Sequence, residues 1–138
     1  MNYFLAKTDP KTYSIDDLAR EKETIWDGVH NYQAIINIKL MKKDDIMILY
    51  HSQGDAKIVG AAKITSDSYE NKNDPRKSWV VHIKFIKKFQ EKDQITLKTI
   101  KELGEFNDWA LVKQSRLSTM PIPEKFVKWA ELDRLVMM

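Results

Sequence analysis

The residues best equipped for chemistry lie in the stretch 25–34, which reads I-W-D-G-V-H-N-Y-Q-A. It places two aromatic rings, Trp26 and Tyr32, around a predicted turn at Asp27-Gly28 and beside the start of a helix at Asn31. Aromatic faces, side-chain amides and a helix N-terminus are groups that bind a flat ring with polar edges, such as a nucleobase. Local chemistry by itself favours a simpler interpretation, in which a turn and a capped helix place these aromatic rings in the core.

Other side chains have the chemistry to complete such a site. They are two aromatic rings, two amides and two cations: Tyr50, Trp109, Asn31, Gln33, Lys7 and Arg116. The rings stack on bases, the amides match a base edge, and the cations hold a phosphate. Each has an ordinary alternative, since Tyr50 and Trp26 also suit a core, Asn31 suits a helix N-cap, and lysine and arginine side chains are mostly solvated. Spacing alone leaves both interpretations open.

Catalytic and metal-binding signatures are missing from the sequence. There is no cysteine, and the three histidines, His30, His51 and His82, lack the spacing of a zinc site. His51 and Ser52 are adjacent on a predicted strand, so they point to opposite faces and cannot act as a base and its nucleophile. No glycine-rich phosphate loop is present. The sequence therefore predicts no cofactor, no metal and no enzymatic activity.

Composition restricts the class of protein. With 138 residues, 43% hydrophobic and 31% charged, the chain suits one globular domain, 1–138. It has no apolar run near the roughly 20 residues of a membrane span and no signal-peptide pattern. Since cysteine is absent, we expect a reducing, cytoplasmic compartment. The net charge of +3 permits contact with nucleic acid but is too small to require a long phosphate track.

The predicted strands surround the candidate site in the chain. Apolar runs and alternation predict strands at 2–7, 45–52, 57–64 and 78–85, of which 45–52 reads as buried on both faces. The small residues Gly60, Ala61 and Ala62 predict the close approach of another backbone or of a ligand. The polar segment 66–77 predicts a loop.

The predicted helices carry clear terminal signals. Ser14 caps a helix over 15–21, and Thr96 caps one over 97–103 that Gly104 ends. An amphipathic helix over 31–41 is predicted to bury Tyr32, Ile35, Ile36 and Leu40. Pro123 is predicted to open a single last helix. Strands interrupted by short helices favour an α+β fold, a small mixed barrel with helices at its ends.

Six ordered motifs resemble one known family. They are K-T-D-P (7–10), Y-S-I-D-D-L (13–18), W-D-G-V-H-N-Y-Q-A (26–34), Y-H-S (50–52), I-V-G (58–60) and A-L-V-K-Q-S-R-L-S (110–118). Together they make the chain similar to the EVE domain family of the PUA-like superfamily. The resemblance implies a small, strongly bent, mixed β-barrel flanked by short helices. It also implies a reader of modified bases, chiefly modified cytosines in DNA, with RNA ligands in some members.

The resemblance also implies where the base binds, by analogy with the aromatic cage of the related YTH domains. Trp26 is the expected cage wall and Asn31 the contact to the base edge. Lys7 and Thr8 would lie on the rim, with 50–52 and 116–118 lining other sides. The complete predicted pocket consists of Lys7, Thr8, Trp26, Val29, Asn31, Tyr32, Gln33, Tyr50, His51, Ser52, Arg116, Leu117 and Ser118.

Two departures from the family pattern affect this expectation. Arginines are usual at the positions of His30 and Ile35, and a guanidinium there could contact a phosphate or a base. We therefore expect capture of a flipped or unpaired base to dominate over contacts to the nucleic-acid backbone. The expected partner is nucleic acid carrying a modified base, with no membrane and no metal, and with the oligomeric state left open.

Two alternatives remain at the level of sequence. One is an amidohydrolase acting on a modified nucleoside, as in related ASCH domains, for which Lys7, Thr8 and Asp27 are the conceivable residues. The other is an accessory RNA-binding domain that uses the barrel surface.

Overall fold

The structure is a computed structural model that describes residues 1–137, so Met138 lies outside the described residues. Within that range the chain forms eight strands: β1 (Tyr3–Thr8), β2 (Glu23–Trp26), β3 (Ile46–His51), β4 (Lys57–Ile64), β5 (Tyr69–Asn71), β6 (Ser78–Lys88), β7 (Ile95–Thr96) and β8 (Thr119–Pro121). The same range contains six α-helices: α1 (Ile15–Glu21), α2 (Tyr32–Lys39), α3 (Leu97–Leu103), α4 (Ala110–Lys113), α5 (Glu124–Trp129) and α6 (Leu132–Met137).

The strands form one mixed sheet. Its hydrogen-bonded order is β2-β6-β4-β3-β1-β8, with β5 paired to β6 and β7 paired to β4. β1 and β3 are parallel, which requires a crossover connection, and the intervening chain supplies α1, β2 and α2. The other pairings are antiparallel. The predicted α+β class is therefore confirmed, and the sheet path ends at β2 and β8.

The central strand β3 is buried along almost its whole length, as its sequence predicted. It lies between β1 and β4, so both of its edges are hydrogen-bonded and both of its faces are covered. Such a strand consists of a continuous apolar run because neither face meets water. The end of β1, beside β3, is where the candidate site begins.

The helix-terminal signals are also confirmed. Ser14 and Asp17 form a capping box, in which Ser14 Oγ accepts from the Asp17 N–H at 3.1 Å and Asp17 Oδ2 accepts from the Ser14 N–H at 2.8 Å. Thr96 caps α3, and Gly104 ends it with a φ of +70°. These contacts join residues close together in the chain, so local residue order is enough to predict them.

The buried face of α2 differs from the prediction. Tyr32 and Leu40 are 79% and 53% exposed. The residues that α2 buries are Ala34, Asn37 and Ile38. The Asn37 side chain donates to the Thr119 carbonyl of β8 at 2.7 Å, and this contact turns that face of the helix towards the sheet. The predicted face is wrong at Tyr32 and Leu40, whereas Ile35 is half-buried against the core. A buried asparagine, satisfied by a distant backbone carbonyl, counts as polar in a periodicity argument and so was missed.

Other predicted elements also need correction. The segment 66–77, predicted as a loop, contains β5, which pairs with β6. The last helix is two helices, α5 and α6, separated by Glu131 at a positive φ of 52°. β2 was not predicted, and it forms because β6 supplies its hydrogen-bonding partners. These short elements depend on tertiary pairing, which a local pattern does not carry.

Candidate functional site

A cavity of about 530 Å³ opens beside the carboxyl end of β1. The loop between β1 and α1, the strand β2 and the segment that joins β2 to α2 form its other walls. Its volume lies within the roughly 300–1,000 Å³ of small-molecule sites. The residues that line it are Lys7, Thr8, Thr12, Tyr13, Thr24, Ile25, Trp26, Asp27, Gly28, Val29, His30 and Ser118.

Two aromatic rings form a corner of this cavity. The ring centroids of Trp26 and Tyr13 are 6.2 Å apart and their planes meet at 74°. Trp26 is the last residue of β2 and pairs with Val81 of β6, so the sheet holds its backbone. The Tyr13 hydroxyl donates to Glu21, and burial, followed by this hydrogen bond, raises the pKa of Tyr13. Tyr13 is therefore a neutral, oriented ring at physiological pH.

The turn after β2 carries the chain past these rings. Gly28 has a φ of +76°, a conformation that glycine adopts without steric cost. The next residue, Val29, is buried and adds an apolar surface to the cavity. The turn thus directs both Trp26 and Val29 to the same cavity.

The rim at the end of β1 is held by hydrogen bonds to the backbone. Lys7 Nζ donates to the Ser115 carbonyl at 3.0 Å, and burial lowers the pKa of Lys7. The Lys7 N–H donates to the Ser118 carbonyl at 2.8 Å, which brings Ser118 to the cavity. Thr8 Oγ1 donates to the Tyr13 carbonyl at 2.8 Å. Hydrogen bonds within the protein therefore preorganise this part of the cavity wall.

His30 lies in another part of the wall and is held by Asp74. His30 Nε2 is 2.7 Å from Asp74 Oδ2, and the Ser78 hydroxyl donates to the same oxygen at 2.7 Å. The Arg76 N–H donates to Asp74 Oδ1 at 2.9 Å. The bond from Ser78, the Arg76 N–H and His30 together lower the pKa of Asp74 to about 2. Asp74 is thus an ionised acceptor at neutral pH.

The fold brings together part of the predicted pocket. The predicted residues that line the cavity are Lys7, Thr8, Trp26, Val29 and Ser118. Those that do not line it are Asn31, Tyr32, Gln33, Tyr50, His51, Ser52, Arg116 and Leu117.

The three predicted residues at the start of α2 lie outside the cavity for local reasons. Asn31 is the N-cap of the helix, and its Oδ1 accepts from the Ala34 N–H at 3.0 Å. Tyr32 and Gln33 follow it on the exposed surface of the first turn. Asn31 therefore makes the helix N-cap contact that was the alternative to binding a base edge.

The predicted residues of β3 and of the segment before β8 mostly serve the interior. Tyr50 is 2% exposed, and Leu117 is also buried. His51 Nε2 accepts from the Ile15 N–H at 3.1 Å, so its ring supports the start of α1. Trp109, considered for stacking, packs in the core against Phe126 with ring centroids 4.7 Å apart.

The predicted base pocket omitted several cavity residues, of which Asp27 was named only for the hydrolase alternative: Thr12, Tyr13, Thr24, Ile25, Asp27, Gly28 and His30. Two signals could have found most of them. Tyr13 is an aromatic residue in a motif close behind β1, and 27–30 belongs to the motif that contains Trp26. Thr24 had no such signal, because β2 itself was not predicted.

The residues described by the structure hold no metal-binding cluster of three or more His, Cys, Asp or Glu side chains. Among them, too, no helix has the length and apolar character needed to cross a membrane.

Comparisons with known proteins give consistent results. Residues 2–131 match the family model described as the EVE domain. Thymocyte nuclear protein 1 of Rattus norvegicus is 31% identical over 90% of this chain and 70% of its own. A Rhodopseudomonas palustris protein solved by NMR is 32% identical, with a TM-score of 0.84 over 94% of this chain and 90% of that one. Human THYN1 in complex with DNA containing 5-methylcytosine is 25% identical, with a TM-score of 0.80 over 96% and 97% of the two chains.

Proposed function

The chain belongs to the EVE domain family, and from that premise we propose that it binds a modified nucleobase in the cavity beside β1. The proposed ligand is a flipped or unpaired base in DNA or RNA, with modified cytosine as the first candidate. One observation carries the proposal, the corner that Trp26 and Tyr13 form within a cavity of about 530 Å³. The human relative in complex with 5-methylcytosine DNA supports the choice of cytosine.

The arrangement suits the energetics of base capture. Stacking one base on an aromatic ring contributes about 1–3 kcal/mol, whereas flipping a base from a duplex costs a few kcal/mol. A single stack therefore does not offset flipping, and polar contacts must add to it. Thr12, Thr24 and Ser118 also line the cavity, and hydroxyl side chains can both donate to and accept from a base edge.

Recognition of a methyl group requires an apolar surface beside the rings. Val29 is buried and supplies an aliphatic side chain to the cavity wall. Burying one methyl group stabilises a complex by about 0.8 kcal/mol, which corresponds to roughly fourfold in affinity. We therefore expect a modest preference for a methylated base over its unmodified form.

The hydrolase alternative has less support. Lys7, Thr8 and Asp27 all line the cavity. The Lys7 amine and the Thr8 hydroxyl, however, already donate to the backbone carbonyls of Ser115 and Tyr13. A nucleophile and its base need a hydrogen bond to each other, and within residues 1–137 the side chains of Lys7, Thr8 and Asp27 form none among themselves.

The proposal is tested by titrating labelled single-stranded oligonucleotides of one sequence, in DNA and RNA form. Their central base is cytosine, 5-methylcytosine, 5-hydroxymethylcytosine or N6-methyladenine. We expect a modified cytosine to bind more tightly than cytosine. Trp26→Ala should weaken that binding by about 5- to 150-fold, which is the stacking contribution expressed as affinity.

Tyr32→Ala is the matched control, because it removes an aromatic ring only a few residues from Trp26 that is exposed and outside the cavity. Its affinity should equal that of the parent. If no modified oligonucleotide binds better than its unmodified counterpart, the proposal is wrong. If a folded Trp26→Ala variant binds as well as the parent, the base does not occupy this cavity.

A further inference from the structure

His30 lines the cavity, and its ring is held by Asp74, a residue that lies outside the cavity. Its Nε2 is 2.7 Å from Asp74 Oδ2, and Asp74 belongs to the segment between β5 and β6. The pair spans 44 residues of sequence, so it joins two separate loops. Nδ1 is the other polar atom of the ring, and within residues 1–137 it has no hydrogen-bond partner.

The surroundings of Asp74 determine which ring nitrogen carries the proton. Asp74 Oδ2 already accepts from the Ser78 hydroxyl, and Oδ1 accepts from the Arg76 N–H. An ionised carboxylate can only accept hydrogen bonds, so His30 Nε2 must be the donor to it. In a neutral imidazole, Nδ1 then carries a lone pair and is an acceptor.

We propose that His30 is a specificity-determining residue, in which Nδ1 accepts a hydrogen bond from the exocyclic amino group of the bound base. The assignment rests on the proposed function of the cavity and names the part of the base that is read. Cytosine and adenine carry such an amino group, whereas thymine and uracil carry a carbonyl oxygen at the corresponding position. Asp74 acts as a positioning residue, because it selects the tautomer without lining the cavity.

The sharpest comparison is between 5-methylcytosine and thymine. The two bases share a ring and a methyl group, and they differ where one has an amino donor and the other a carbonyl acceptor. A carbonyl opposite the His30 lone pair leaves two acceptors facing each other without a proton. We expect the parent protein to bind an oligonucleotide with 5-methylcytosine about tenfold more tightly than the same oligonucleotide with thymine.

Asp74→Asn tests the role of the tautomer with little change of shape. The amide oxygen retains the bond from the Arg76 N–H, which directs the NH₂ group towards His30 and Ser78. That group donates to His30 Nε2, so the imidazole proton moves to Nδ1. The cavity then presents a donor, and the preference for 5-methylcytosine over thymine should disappear or reverse.

The tautomer is measured directly and without ligand by ¹H–¹⁵N NMR of the imidazole nitrogens at pH 8. The parent should show the proton on Nε2 of His30, and Asp74→Asn should show it on Nδ1. A parent spectrum with the proton on Nδ1 overturns the proposal. Because this measurement needs no nucleic acid, it separates an error in the tautomer from an error in the function of the cavity.

Binding provides the second readout. In His30→Ala the ratio of the affinities for 5-methylcytosine and thymine should fall to about one, whereas Trp26 still stacks the base. His82→Ala is the matched control, since His82 contacts Tyr69 and lies outside the cavity. Its ratio should equal that of the parent. Circular dichroism confirms that each variant is folded.

The outcomes distinguish the two levels of the proposal. If the parent binds modified cytosine but His30→Ala keeps the parent's ratio, the role of His30 is wrong and the function of the cavity stands. If the parent prefers no modified base, the proposed function fails, and the assignment of His30 fails with it.

Discussion

At the scale of single residues, His51 shows how a histidine predicted for the pocket can serve structure instead of a ligand. The Ile15 N–H at the start of α1 donates to His51 Nε2 at 3.1 Å. To accept this bond the ring must be neutral, with its proton on Nδ1. Burial, opposed by the charge of Asp16 and reinforced by Lys57 and Lys88, lowers the pKa of His51 below its usual 6.5. Protonation therefore removes the acceptor and places a charge in a half-buried position.

This predicts a specific dependence of stability on pH. The unfolded chain binds the His51 proton more tightly than the folded chain, so the contribution is complete above the unfolded pKa of 6.5 and is lost as pH falls through the lower folded pKa. Between about pH 7.5 and pH 5, the free energy of unfolding of the parent should fall more than that of His51→Gln, whose amide oxygen still accepts. Urea denaturation at both pH values measures the difference.

His82→Gln is the control, because it removes an exposed histidine and should keep the acid sensitivity of the parent. Asp17 and Asp74, whose pKa values are lowered, titrate below this window. Equal acid sensitivity in the parent and in His51→Gln would contradict the role assigned to the ring.

At the scale of elements, α1 packs directly on the sheet where β4 lacks a side chain. A Cβ atom at Gly60 would lie 2.6 Å from Ile15 Cδ1 and 2.6 Å from the Lys87 carbonyl oxygen. The close approach predicted for this strand is thus made by the chain's own helix and by β6, and not by a ligand. α1 begins at Ile15, shortly after Tyr13. The packing of α1 on the sheet therefore also influences the position of the Tyr13 ring beside Trp26.

We predict that Gly60→Ala destabilises the protein by about 1–3 kcal/mol, because both neighbours must move. Ile15→Ala removes both Cδ1 and Cγ1, which would lie 2.6 and 2.8 Å from the new Cβ atom, so in the Gly60→Ala background it should cost less than it does in the parent. Urea denaturation of the two single variants and the double variant gives this coupling energy. If the two substitutions change the free energy of unfolding additively, the Ile15 side chain does not clash with the new Cβ atom.

At the scale of the whole molecule, charge is distributed without a large excess. The net charge is +3, and several lysines are engaged by nearby carboxylates, including Lys63 with Asp44 at 3.2 Å and Lys88 with Asp16 at 3.0 Å. A long positive track for a nucleic-acid backbone would require many unengaged cations. The described residues instead include a cavity in which the rings of Trp26 and Tyr13 meet.

Capture in the cavity therefore predicts weak dependence of binding on salt. Contact with two phosphates of a single strand gives less than about tenfold loss of affinity between 50 and 200 mM salt, whereas 6–10 contacts on duplex DNA give about 10³–10⁵-fold. Titration of the 5-methylcytosine oligonucleotide over this range measures the slope, with the free nucleoside as a control that carries no phosphate. A loss of a thousandfold would favour the surface-binding alternative.

The sequence by itself determined the features that rest on contacts within a few residues. The Ser14 capping box and the Thr96 and Gly104 ends of α3 join groups no more than one or two turns apart, so their geometry follows from local order. The buried strand β3 was predictable because its apolar run has no polar face. The stretch 25–34 was located in the same way, from an aromatic residue, a turn and a cap in succession.

Only the tertiary structure decided which of those residues share a cavity. Tyr13 meets Trp26 because the pairing of β2 with β6 fixes the position of Trp26. Asp74 contacts His30, 44 residues away in sequence, because the pairing of β5 with β6 brings the segment between them close to His30. The same packing assigns Tyr50 to the interior. The physical reason is that a local pattern specifies backbone conformation and burial over a turn or a strand. Contacts between distant segments depend on the pairing and register of the whole sheet.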